Sequence, residues 1–168
     1  MTEEEIAFSE IIGDLVEQWG FRRHLGRIWS LLYLRAEPVN PTRIQSQLEL
    51  SAGSVNAHLS ELQTWGTVKR IRIAGDRNFY YEVNPSIWKS VSNVIRTREL
   101  RILEDAQSGL KSLSTRLKRA GKEDFQARRV ERVRAVTELA IGLSSLLIGA
   151  SPEKIVKAVR ILKRLRSL

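Results

Sequence analysis

The sequence predicts a mainly α-helical protein with one small β-hairpin, in which a compact N-terminal head is followed by long helices. Three observations predict it. Apolar residues recur at helical spacing over most of the chain. Residues 67–83 depart from that spacing and form two β-branched and aromatic runs around a Gly-Asp turn. Just before them, Asn40-Pro41 and Ser51 carry the residue types that start helices, which places two short helices around a tight turn.

Residues 3–19 read as a helix with Ile6, Ile11 or Ile12, Leu15, Val16 and Trp19 at apolar positions, ended by Gly20. A second helix, from about Arg22 to Arg35, aligns Leu25, Ile28, Trp29, Leu32 and Tyr33 on one face. Ala36 to Val39 reads as a loop. The short helix opened by Pro41 turns Ile44 and Leu48 inward, and Glu49-Leu50-Ser51 is the turn. The helix after Ser51 runs to Trp65 and buries Val55, Leu59 and Leu62, with Gly66 where a left-handed residue closes a helix. Thr67–Ile73 and Asn78–Val83 are the strands, and Phe79, Tyr81 and Val83 alternate with Tyr80 and Glu82. Helix, turn, helix, hairpin is the order of a winged helix-turn-helix.

From Pro85 a helix is expected to about Ala120, with Leu103, Ala106, Leu110, Leu113 and Leu117 in the 3-4-3-4 spacing of a coiled-coil seam. A helix of that length spans roughly 50 Å and suits a spacer between head and oligomerising body. Gly121 to Asp124 reads as a break. The next helix, Phe125 to Ile148, is apolar on all sides from Leu139, which suits a core or an oligomer interface. Ser151-Pro152-Glu153 opens a last helix with Ile155, Val159, Leu162 and Leu165 or Leu168 as its stripe. The expected domains are a winged helix-turn-helix with its N-terminal helices, 1–84, and a helical linker and dimerisation region, 85–168.

The 168 residues hold 28 Lys and Arg, 19 Asp and Glu, and no Cys, for a net charge of +9. The absence of Cys excludes disulfides, thiolate-held metals and a thiol nucleophile. His24 and His58 supply the imidazoles, without metal-ligand spacing. There is no phosphate-binding glycine loop and no Ser/His/Asp arrangement, so neither an enzyme nor a bound cofactor or metal is expected. The acidic N-terminus lacks the features of a targeting signal, and the run Leu139–Ala150 is shorter than the about 18 residues of a membrane span. A cytoplasmic protein off the membrane is expected. The positive balance points to a polyanion, but residues 41–84 net only +1, and the surplus sits in 85–168.

Read as a DNA-binding head, the second helix presents Ala52, Gly53, Ser54, Asn56, Ala57 and Ser60 outward. Asn56 has the bidentate amide that pairs with adenine, and Ala57 suits a thymine methyl. Gly53 admits a close phosphate, and Thr42, Ser51 and Ser54 suit phosphate oxygens. Arg43 and Asn78 complete the candidate set beside them. The hairpin supplies the charge, through Lys69, Arg70, Arg72 and Arg77. Asp76 beside Arg77 suggests an oriented guanidinium aimed at a narrow minor groove, or simply a stabilised turn. His58 is open between packing and a DNA contact. The basic residues of the C-terminal helices, Arg128, Arg129, Arg132 and Arg134 and then Lys154, Lys157, Arg160, Lys163, Arg164 and Arg166, are solvated faces, or else extra non-specific DNA contacts or a partner surface.

Three stretches carry a resemblance. GFRRHLGRIWSLLYLRAEPV (Gly20–Val39), LSAGSVNAHLSELQTWGTVKR (Leu50–Arg70) and GDRNFYYEV (Gly75–Val83) resemble the GbsR-like branch of the MarR-type transcriptional regulators. The resemblance implies a homodimeric winged-helix protein that binds double-stranded DNA, and a repressor of a pseudo-palindromic operator. It also implies a small-molecule effector, since the founding type represses glycine betaine synthesis genes and responds to choline. An aromatic cage would hold a quaternary ammonium, and Trp19, Trp29, Tyr33 and Trp88 are candidates for a cage or for core. At Ala52 and Ser60, where the family often carries Lys and Arg, this chain has no charge. That departure leaves a second reading, a winged helix that binds protein and not DNA.

Overall fold

The structure is a computed structural model and describes residues 1–35, 37–121 and 125–166. The chain forms two compact units, Met1–Val91 and Ser92–Leu168. In order the elements are α1 (Glu3–Gln18), α2 (Arg23–Tyr33), α3 (Pro41–Leu48), α4 (Ala52–Thr64), β1 (Val68–Arg72), β2 (Phe79–Val83), α5 (Ile87–Val94), a π-helical segment (Ile95–Glu99), α6 (Leu100–Arg119), α7 (Phe125–Gly149) and α8 (Pro152–Arg166).

The caps of the first unit are local and explicit. The Thr2 side chain and Glu5 form a reciprocal capping box at the start of α1. Asn40 Oδ1 accepts from the Arg43 N–H at 2.8 Å, and Ser51 Oγ accepts from the Ser54 N–H at 3.2 Å. Gly66 adopts φ 64°, the left-handed conformation expected after α4. Helix α1 crosses α2 where two glycines meet: a Cβ on Gly26 would come within 2.7 Å of the Ile12 carbonyl oxygen and 3.0 Å of the Gly13 Cα. Arg23 ties the same helices through Glu10 and Asp14, and Arg27 adds a second bond to Glu10.

The core of this unit is continuous. Leu25, Ile28, Leu31 and Leu32 of α2 pack with Ile44 and Leu48 of α3, Val55, Leu59 and Leu62 of α4, and Val68 and Tyr81 of the hairpin. The inward residues expected from helical spacing in α3 and α4 are all here. Val39 differs from its expected place in a loop. It is buried, and its N–H and C=O exchange 2.9 Å bonds with Tyr81, so it adds a third short edge to the hairpin. The Val39 backbone pairs with the free β2 edge while its side chain joins the core. Ala36, in the same expected loop, lies outside the described residues.

In the second unit α6 packs on α7. The expected unbroken helix from Pro85 contains the π-helical segment, where Thr97 Oγ1 donates to the Asn93 carbonyl at 2.8 Å and competes with the regular ladder. Along α6 Leu103, Leu110, Leu113 and Leu117 are half-buried, while Ala106 is exposed and Gln107 takes its place. The face of α7 toward α6 is the more polar one. It carries Glu131, Arg134, Thr137 and Ser144 among Val130, Ile141 and Ile148, and Ser114 of α6 donates to Glu131 at 3.2 Å. The apolar run from Leu139 is not buried within the chain: Val136, Leu139, Leu143 and Leu146 are 66%, 61%, 53% and 71% exposed. In α8 Ile155 is half-buried and Val159 exposed; the side chains of Leu162, Leu165 and Arg166, the terminal Leu168, and the break at 122–124 lie outside the described residues. Among the described residues no helix is long and apolar enough to cross a membrane.

Candidate nucleic-acid interface

Helix α4 turns one face to the core and the other to solvent. Val55, Leu59 and Leu62 are buried, and Ser51, Ala52, Gly53, Asn56, Ala57 and Ser60 are exposed. Ser54 is half-buried at the border. The outward set expected from the sequence therefore lies together on the first two and a half turns of one helix, with Ser54 at its border. A Cβ at Gly53 would meet nothing within 4 Å, so nothing inside the described protein requires glycine there. His58 faces inward at 5% exposure, with Nδ1 2.6 Å from the Ser54 carbonyl oxygen. The structure thus places His58 among the packed residues.

The hairpin register divides its basic residues. Arg70 pairs with Tyr81 and Arg72 with Phe79 on one face, while Lys69 pairs with Glu82 on the other. Both Arg70 and Arg72 hold their guanidinium groups over the Phe79 ring, 4.2 and 4.5 Å from its centroid. Lys69 Nζ sits 2.5 Å from Glu82 Oε1 and is partly neutralised there. The sequence did not single out Phe79 as a platform. The readable signal was the register itself, because the turn at Gly75 dictates that residues 72 and 79 face each other.

Asp76 differs from its expected partnership with Arg77. Its Oδ1 accepts the Asn78 N–H at 2.8 Å and its Oδ2 the Tyr80 O–H at 2.6 Å. Among the described residues no ion pair joins the Asp76 carboxylate to the Arg77 guanidinium. The Tyr80 hydroxyl, followed by the Asn78 N–H, holds the Asp76 carboxyl below the usual range, and Asp76 in turn raises Tyr80. The acid secures the turn, and the exposed Arg77 is left to project from it.

These elements converge on one open groove of about 360 Å³. It is lined by Thr42 at the start of α3, Asn56 of α4, and Arg70, Arg77 and Asn78 of the hairpin, together with Asn40, Pro41, Phe79 and Tyr81. Arg43 stands apart from it and pairs with Glu37 at 3.0 Å. Lys69 also stands apart, on the far face of the hairpin. The groove combines two guanidinium cations, three amides and two hydroxyls, a donor-rich surface suited to an oxyanion such as a phosphodiester.

Trp29 and Tyr33 lie ring on ring, with centroids 4.8 Å apart at 13°. Each covers a face of the other, so no ligand sits between these two rings. Among the described residues no group of three His, Cys, Asp or Glu gathers as a metal site.

No family model matches the chain, and no curated protein matches it. Among solved structures it is similar to a crystal structure of a transcriptional regulator, with 21% identity and a TM-score of 0.64, over 87% of this chain and 96% of that one. The likeness bears out the fold class: mainly α-helical, with a two-stranded antiparallel hairpin as the wing.

Proposed function

We propose that the chain is a DNA-binding transcriptional regulator of the GbsR-like branch of MarR-type proteins, acting as a repressor and not as an enzyme. Helix α4 enters the major groove, where Asn56 and Ala57 face bases and Ser51, Gly53, Ser54 and Ser60 approach the backbone. The wing carries Arg77 toward the minor groove, and Arg70 and Arg72 meet phosphates. The observation that carries this reading is the groove, which collects Thr42, Asn56, Arg70, Arg77 and Asn78 from three elements on one side of the head.

A second copy of the chain covers the bare α7 stripe. Val136, Leu139, Leu143 and Leu146 have the 3-4-3 spacing of a helix seam and are exposed in one chain, which supports a homodimer. Two heads then take half-sites of a pseudo-palindromic operator, about one helical turn or a multiple apart, and the bound dimer blocks polymerase. A small-molecule effector would act by changing that spacing.

The exposed face of α4 has no charged side chain on its first two turns, which favours protein binding as the second reading. In vitro selection from a random duplex library, followed by titration at rising salt, separates the two. The DNA reading expects a recovered consensus with two related half-sites and an affinity that drops steeply with salt. Recovery of no duplex at low salt favours the protein-binding reading.

A further inference from the structure

Two histidines distant in sequence meet beneath the reading helix. His24 of α2 and His58 of α4 stand edge to face, with ring centroids 5.6 Å apart and planes at 88°. His58 Nδ1 is 2.6 Å from the Ser54 carbonyl oxygen and 3.3 Å from the Ser54 hydroxyl. A carbonyl oxygen only accepts, so Nδ1 carries a proton and donates, and Nε2 of the neutral ring is bare. His58 Nε2 and His24 Nδ1 are both buried without a hydrogen-bond partner. A proton placed on either atom would make an N–H with no acceptor, where water does not reach it.

The charges around the pair make the site worse for a cation. On α2, Arg23 and Arg27 lie within reach of His24; on α4 the neighbour is His58; on α1 it is Glu10. Glu10 is the one favourable charge, and it already serves both Arg23 and Arg27. On α3 the Leu48 carbonyl faces Arg27, whose Nη2 approaches it at 3.5 Å.

We propose that a proton taken up at His24 unseats α4 and weakens DNA binding in mild acid. This regulation rests on the DNA-binding reading above. His58 is the link: its ring lies against His24, and its Nδ1 holds the backbone of Ser54, on the turn that carries the outward residues. Burial first, then the Arg27 charge, holds His24 below the ordinary imidazole range of about 6.5. The seated state therefore binds fewer protons than the unseated one, and its stability, complete above about pH 6.5, is lost as the pH falls below that value. The sign is distinctive. A solvent-facing histidine near DNA would tighten binding on protonation, whereas His24, with its Nδ1 buried and unpartnered, loosens it.

The test uses the full chain and the duplex recovered by in vitro selection at about pH 7.5, with anisotropy titrations down to about pH 5.5 at constant ionic strength. The wild type should lose affinity across that range, by up to the about tenfold that one proton can supply, while circular dichroism shows its helices retained. His24→Gln should bind like the wild type at the upper pH and lose most of the acid effect. An independent arm needs neither variant nor DNA: the NMR titration of the wild-type His24 ring should fall below the ordinary range. The proposal is overturned if wild-type affinity is flat or rises in acid, if His24→Gln shows the same loss, or if the His24 ring titrates at or above the ordinary value. Binding at the upper pH without weakening in acid overturns this proposal alone, whereas no binding to any duplex overturns the DNA reading and this proposal with it.

Discussion

The Tyr80 hydroxyl donates to Asp76 Oδ2 at 2.6 Å, and the other Asp76 oxygen takes the Asn78 N–H at 2.8 Å. One carboxylate thereby closes the wing turn from both sides and leaves Arg77 exposed beyond it. Tyr80→Phe removes one half-buried bond local to the wing turn, so the thermal midpoint should move little while affinity for duplex falls. The depressed Asp76 pKa sets the pH range: the contribution is complete above the ordinary carboxylate value of about 4 and is lost as the pH falls through the lower folded value. The wing should therefore keep its order from about pH 5 upward, which amide exchange at residues 74–80 checks.

The two faces of the hairpin should be unequal. Arg77→Ala should weaken duplex binding about tenfold and lower the slope of log affinity against log salt by about one. Lys69→Ala should do less, because Lys69 lies on the far face and is paired with Glu82. Equal losses in titrations of both variants would count against the placement of DNA on the Arg70 face.

Gly53→Ala separates binding from stability. The added methyl meets nothing within 4 Å, and alanine in a helix is favoured over glycine by about 0.5–1 kcal/mol, so urea unfolding should show equal or greater stability. Duplex affinity should fall, because the proposed interface brings the phosphate backbone to the position of that methyl. Asn56→Ala should instead leave non-specific affinity and relax the selected consensus at one position.

Gly26→Ala should destabilise the head by about 1–3 kcal/mol in urea unfolding, since its Cβ would press on the Ile12 carbonyl at 2.7 Å. The obstacle is backbone, which cannot swing aside as a side chain does.

Leu143→Glu places a charge in the bare α7 stripe. Sedimentation should show the wild type as a dimer and the variant as a monomer, with helix content retained. A dimer that survives this change would remove α7 from the subunit contact.

The head was legible because its signals are local. Asn40, Ser51 and Gly66 mark helix ends by their own chemistry, and Ile44, Val55 and Leu59 mark the core by spacing. The chemistry of the site was less legible, because it depends on register and on distant neighbours. Lys69, Arg70 and Arg72 look alike in sequence, and only strand pairing separates Lys69 from the other two. Asp76 is adjacent to Arg77 yet bonds Tyr80, four residues on. His24 and His58 meet only when α2 packs against α4. In α7 apolar residues occupy both faces, so spacing alone did not tell which one α6 covers.

The central claim is that α4 and the wing form the surface that receives duplex DNA, and NMR mapping of the selected duplex onto the full chain tests it most directly. Amide shifts should concentrate at residues 42, 51–60 and 70–78. Shifts confined to the basic helices beyond residue 125, with the α4 and wing amides unmoved, would contradict it.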